Sequence, residues 1–329
     1  MRHETRELFQ YSAAVSSILT NSLLIYLIAS KSPKHIGNYK YLLICVSVFE
    51  MVYGILDIIA SPVIDLFGPT FLVIVSHKNG LLGQQTAMFL NAVYCSFFGF
   101  SMGMFVIIFA YRLLVLTGKN ESWLESFEGV RIVSWFTFPF FYGVVWGLSA
   151  LFPFAPTPEM DEFLRESIVR KLNMSLDDVA YTGALFFSRE GDASVTNYTV
   201  VTWTVVLWTL TTSSLILVGV FGTKCYYHIN KLLGDNDGSM SRKLKDTQSQ
   251  LFFALVFQAS IPIILMHIPA TLLYTCSLLN IEMDATFVAL TIALFPALDP
   301  LPTLLIIKNY RQAIFGYIRR VLRLVRILR

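Results

Sequence analysis

Three carboxylates stand where the chain is otherwise apolar: Glu50 and Asp57 in "YKYLLICVSVFEMVYGILDIIA", and Asp299 in "FPALDPLPTLLIIKNY". A charge at the centre of a bilayer costs about 3 kcal/mol on insertion scales and normally faces the interior of a bundle. Glu50 and Asp57 are seven residues apart, two turns along one helical face. Such a pair either steps a proton or cation through the membrane or is satisfied by hydroxyls and water inside the bundle. Asp299 lies among Pro296, Pro300 and Pro302, which lack the N–H that would close a helical turn. A carboxylate there can bond freed N–H groups or a neighbouring helix, making Asp299–Pro300 a hinge. Reactive chemistry is otherwise missing. His3, His35, His77, His228 and His267 are scattered, and no His-Glu-x-x-His, phosphate loop or Gly-x-Ser-x-Gly occurs. The four cysteines have neither zinc nor disulfide-framework spacing. "GDNDGS" starts like a calcium loop but puts Met240 and Asp246 where glycine and glutamate are needed. The expectation is no enzyme, no cofactor, no metal and no nucleic-acid partner.

The elements that carry these groups follow from composition. Of 329 residues, 55% are hydrophobic and 14% charged, against about 25% charged in soluble domains. Seven stretches reach the roughly 20 apolar residues that a hydrocarbon core demands: 11–29, 41–60, 87–115, 132–151, 200–221, 251–276 and 285–307. Without water to satisfy the backbone, each must be a helix, so the fold class is an all-α seven-transmembrane bundle. The first run, with Asn21 in its middle and no clear cleavage site, reads as a retained span. Most of the 25 lysines and arginines fall on one side if the N-terminus is outside. They include Lys31, Lys34 and Lys40, then Arg112, Lys119 and Arg131, then Lys224 to Lys245 and the arginine-rich end. The sequons at Asn173 and Asn197 then lie outside and are the predicted glycosylation sites, while Asn120 faces the cytoplasm. Residues 1–307 form the seven-transmembrane domain, and 308–329 a cytoplasmic amphipathic helix and tail.

The connections are expected to be short except 152–199. There Thr157 caps and Pro158 opens a helix in "TPEMDEFLRESIVRKL", followed by a short extended piece, "YTGALFF". This loop is either a solvated helix or a lid over a cavity, and no cysteine staples it to span three. "SRKLKDTQSQ" continues span six into the cytoplasm. The tail alternates Ile314, Ile318, Val321, Val325 and Leu328 with arginines at helical spacing, a basic amphipathic helix for an anionic membrane surface. Gly99 and Gly103, and Gly143 and Gly147, are small-xxx-small pairs for close packing within the monomer or for a homo- or heterodimer. Arg112, at the inner boundary of span three, has the plain reading of a snorkelling anchor.

Several blocks resemble the Str-type seven-transmembrane chemoreceptors of nematodes: "GNYKYLLICVSVFEMVYGILD", "QLFFALVFQASIPIILMHIPA", "FPALDPLPTLLIIKNYRQAI", and "AYRLL" where that family has Tyr-Arg-Tyr. The resemblance implies a G-protein-coupled odorant receptor in the ciliary plasma membrane of chemosensory neurons. It further implies that Tyr111, Arg112, Arg242, Lys243, Lys245, Asn309, Tyr310 and Arg311 face a heterotrimeric G protein, and that the Asp299–Pro300 hinge relays ligand occupancy. By depth, a small, volatile or apolar ligand under the 152–199 lid would meet Asn91, Tyr94, Cys95, Phe98, Met266 and His267. Two rivals stay open. A secondary transporter would work through Glu50 and Asp57, and a ligand-gated channel of inverted topology would need the N-terminus inside.

Overall fold

The computed structural model describes residues 3–32, 36–77, 83–118, 125–127, 129–172, 174–190, 193–234 and 242–327. Seven helices long and apolar enough to cross a membrane run Thr5–Lys31, Tyr39–Ala60, Gln84–Thr117, Gly129–Leu151, Tyr198–Gly234, Leu244–Leu278 and Thr286–Ile306; they are called spans one to seven. Each expected apolar run falls in one of them. Spans five and six extend well beyond their apolar runs, because polar residues outside the hydrocarbon can prolong a helix that lipid has already nucleated. "RKLKDTQSQ" is helical from Arg242 as the head of span six.

Span three is the most enclosed of the seven, and glycines let span four reach it. A Cβ on Gly99 would sit 2.3 Å from Trp146 Cδ1, and one on Gly103 would sit 2.5 Å from Pro139 Cα. From the other side, Gly143 meets the Ser96 carbonyl and Gly147 the Ser96 hydroxyl. Both small-residue pairs are therefore used inside the monomer, between one another's helices.

The connection between spans two and three overturns the expectation that only residues 152–199 form a long structured loop. Val63–Phe67 (β1) and Thr70–Ser76 (β2) make a hairpin in which Phe67 faces Thr70 across Gly68 and Pro69. Gly68 has φ +57°, the left-handed conformation that glycine adopts without steric cost. "YTGALFF" contributes β3, Val179–Leu185, antiparallel to β2. The three-stranded sheet lies across one end of the bundle, and its strands are buried on both faces. One face packs on the spans; the other is covered by the lid helix, Pro158–Leu172, through Met160, Leu164 and Ile168. Thr157 caps that helix as expected, its hydroxyl accepting from Met160 N at 3.2 Å. A second hairpin, Phe187–Glu190 with Ala193–Thr196 (β4, β5), leads into span five. At the opposite end, Lys308–Ile327 forms the tail helix, with Phe315, Ile318, Val321 and Leu322 exposed along it.

Candidate functional site

Span three connects the two ends of the molecule, and three layers of functional groups are arranged along it. The first lies directly under the sheet. Ile64, Phe71 and Val73 of the sheet, Tyr94, Cys95 and Phe98 of span three, Trp146, Tyr274 and Ile292 enclose a cavity of about 40 Å³. Its lining is almost wholly apolar. That space admits a few heavy atoms, since a single water needs roughly 10–15 Å³ on the same measure. The residues proposed by depth separate here. Tyr94, Cys95 and Phe98 line the cavity; Asn91 instead donates from Nδ2 to the Val73 carbonyl at 2.8 Å, tying span three to the sheet. Met266 is buried deeper, its sulfur 4.0 Å from the Ser101 hydroxyl. His267 borders a separate space of about 10 Å³ among spans three, five and six, its Nδ1 3.0 Å from the Pro262 carbonyl. That contact sits in a π-helical segment, Ile263–His267, just before Pro269, whose missing N–H disturbs the helical ladder.

The sheet is held down by polar contacts that the sequence did not advertise. Asp65 is fully buried on β1; its Oδ1 accepts from Leu66 N at 2.8 Å and Ala285 N at 3.3 Å. Its Oδ2 lies 2.8 Å from Lys171 Nζ of the lid helix, and the ammonium also donates to Leu66 O and rests over the Phe67 ring. Thr182 of β3 donates to Ala150 O at 2.6 Å. Tyr181 donates to Asp161 Oδ1 of the lid helix at 2.5 Å; burial first, and that bond second, push the phenol above its ordinary range. Asp284, which precedes span seven, is held below the usual carboxylate range by bonds from the Thr286 hydroxyl and N–H. Only the Gly68–Pro69 turn between two apolar runs signalled this hairpin; burial of Asp65 had no sequence signal.

The second layer holds the intramembrane acids, which go to two different places. Asp57 lies beside Tyr94 and Tyr53, with Arg6 of span one within electrostatic reach. Among the described residues, neither its oxygens nor those two hydroxyls have a fully formed hydrogen bond. Glu50 instead meets Asp299 and Asn21. Gln258 Nε2 donates to Asp299 Oδ2, and Thr303 donates to Gln258 Oε1 at 3.4 Å. Pro300 cannot donate to the carbonyl four residues back, Pro296 O; Asn21 Nδ2 does so at 2.9 Å. The break in span seven is thus satisfied by span one, with Asp299 fully buried beside it. Asn21 and Gln258 were the partners that sequence reading did not assign.

The third layer is the far end of span three. Arg112 is 1% exposed, which removes it from the class of snorkelling anchors. Its guanidinium donates from Nη2 to the Gln248 carbonyl of span six at 3.1 Å and lies 5.2 Å from the Tyr39 ring centroid. Tyr39 stacks on Tyr111 at 5.6 Å, and Tyr111 meets Phe127 edge-on at 4.8 Å. Tyr310 is buried, its hydroxyl 2.6 Å from that of Ser32, whereas Arg242, Asn309 and Arg311 are exposed. Lys245 is half-buried; the side chain of Lys243, and the residues Asn120, Asn173 and 235–241, lie outside the described residues. Asn197 is exposed just ahead of span five and caps it, Oδ1 accepting from Val200 N at 3.2 Å.

Residues 6–315 match the family model described as serpentine type 7TM GPCR chemoreceptor Str. The chain belongs to the Str family of serpentine chemoreceptors. It is 50% identical over 306 residues to the G-protein coupled receptor str-217 of Caenorhabditis elegans, covering 93% of this chain and 88% of that one. Serpentine receptor class r-10 of the same organism is 26% identical over 91% of this chain and 86% of its own. In fold, the Str chain is similar to squid rhodopsin, with a TM-score of 0.62 at 10% identity, covering 97% of this chain and 86% of that one. Seven apolar helices in a chain of this family make it a multi-pass membrane protein with a receptor's, not an enzyme's, kinship.

Proposed function

We propose that this Str receptor detects a small, mostly apolar odorant in the cavity beneath the sheet and signals to a heterotrimeric G protein at the far end of span three. The sheet end then faces the medium and the tail helix lies on the inner leaflet of the plasma membrane, in keeping with the lysine and arginine distribution. The observation that carries the reading is the position of Tyr94. It lines the cavity and also lies beside Asp57, on the same helix that presents Tyr111 and Arg112 at the other end. Ligand acts by preferring an arrangement in which Arg112 leaves the Gln248 carbonyl, because only differential affinity shifts an equilibrium. The Asp299–Pro300 break is where span seven moves. Arg242, Lys243, Lys245, Asn309 and Arg311 supply further contacts for the G protein, and placement in a sensory cilium follows from the chemosensory role.

The test is an odorant screen in cells reporting cAMP, cGMP or calcium, followed by Arg112→Ala. The variant is expected to reach the surface at normal levels and lose ligand-stimulated signalling. Solute flux that disappears in Glu50→Gln while Arg112→Ala changes nothing would replace this reading with a transporter.

A further inference from the structure

Spans four and five both pack on span three but scarcely on each other. The gap is an apolar groove of about 420 Å³ toward the tail end of the bundle. Its floor is Ala110, Leu113 and Leu114 of span three, with Trp135 and Phe138 on one wall and Leu217 and Phe221 on the other. The groove has ends as well as sides. Toward the sheet, the Tyr142 and Ser213 hydroxyls meet at 2.9 Å and join spans four and five. Toward the tail end, Trp135 is steadied by a 2.8 Å bond from Nε1 to the Ser126 hydroxyl. A lined void on a lipid-facing surface is filled by hydrocarbon, since water finds no polar partner in it.

Charge at the mouth selects the occupant. Arg131, Trp135 and Phe138 recur at i, i+4 and i+7, as do Leu217, Phe221 and Lys224, so each wall ends in a cation one turn below its last apolar residue. Both cations are exposed. Arg131 has Glu125 Oε2 at 3.8 Å, a surface pair that holds it weakly. We propose that the groove is a binding site for an anionic phospholipid, with one acyl chain between spans four and five and the phosphate held between Arg131 and Lys224. The wall that the chain would press on is Trp135, which stacks on Phe127 beside Tyr111. The inference does not depend on the ligand or the G protein proposed above.

The test uses the full chain in phosphatidylcholine nanodiscs doped with phosphatidylserine that carries a photoreactive acyl chain. Parallel samples contain photoreactive phosphatidylcholine or sterol, and labelled peptides are mapped by mass spectrometry. Phosphatidylserine is expected to label the segments carrying Leu113–Leu114, Trp135–Phe138 and Leu217–Phe221 above all others. Arg131→Gln and Lys224→Gln should each lower that labelling roughly fivefold, the effect of one basic residue at an anionic surface. Ala110→Phe, or Leu217→Trp from the other wall if the first does not fold, should abolish it while labelling elsewhere persists. Equal labelling by phosphatidylserine and phosphatidylcholine in the native chain, even labelling of all spans, or occupation of the groove by the sterol alone would each overturn the proposal.

Discussion

The two ends of span three are closed by different means. At the sheet end, Asn91 and Tyr94 lie under backbone paired into a three-stranded sheet, pinned by the Asp65–Lys171 ion pair and the Tyr181–Asp161 bond. At the other end, among the described residues, Arg112 is held by the Gln248 carbonyl and the face of the Tyr39 ring. A sheet separates only when many backbone bonds break together, whereas a side-chain latch can release alone. The difference teaches that this fold seals the cavity with many cooperative backbone bonds and closes the far end of span three with contacts that can be lost one at a time.

The contrast predicts a graded set of effects. Gly183→Val should be the most damaging. Its Cβ would fall 2.5 Å from the Phe71 carbonyl and 2.4 Å from Leu72 Cδ2, prying β3 from β2 at a cost of about 3 kcal/mol. Thermal melting in detergent and surface expression should both fall; an unchanged melting temperature would mean the sheet is dispensable. Asp65→Ala comes next. It strands Lys171 and two backbone donors, for about 2 kcal/mol. Lys171→Ala should cost a comparable amount, because it leaves a carboxylate that is 0% exposed without its cation, although the two backbone N–H bonds to Asp65 remain; a Lys171→Ala chain that melts like the native one would show the ion pair to be idle.

Tyr39→Leu attacks the other end. It removes the ring beneath Arg112 and the stack on Tyr111, worth about 1 kcal/mol, so ligand-independent signalling should rise severalfold at unchanged surface expression. Silence in that assay would show that the ring is not part of the latch. The smallest effect is electrostatic. Because Asp284 is held below its unfolded pKa of about 3.9, its contribution is present above that pH and lost as pH falls through the folded value. It is largely exposed, so the effect should stay under about 0.5 kcal/mol and be absent in Asp284→Asn, measured as melting temperature against pH.

Legibility in the sequence followed the range of each interaction. The spans, the Thr157 cap and the helical head of span six depend on neighbours in the chain and were readable. The prolines around Asp299 announced a break, yet its repair by Asn21, 275 positions away from Pro296, was not readable. Their seven-residue spacing put Glu50 and Asp57 on one helical face, open to a shared pathway or to satisfaction inside the bundle; packing gave one to Asp299 of span seven and the other to Tyr94. Arg112 looked like a boundary anchor because its pocket is assembled from Tyr39 and Gln248 of other spans.

By itself the sequence determined that this protein lives in a bilayer as seven helices with a basic amphipathic tail, because hydrophobic length and lysine–arginine bias act on each segment separately. Only the tertiary structure decided that a hairpin between spans two and three closes the cavity, which buried carboxylate serves which helix, and that Arg112 turns inward. Those outcomes depend on pairings between distant segments, and local periodicity carries no record of them.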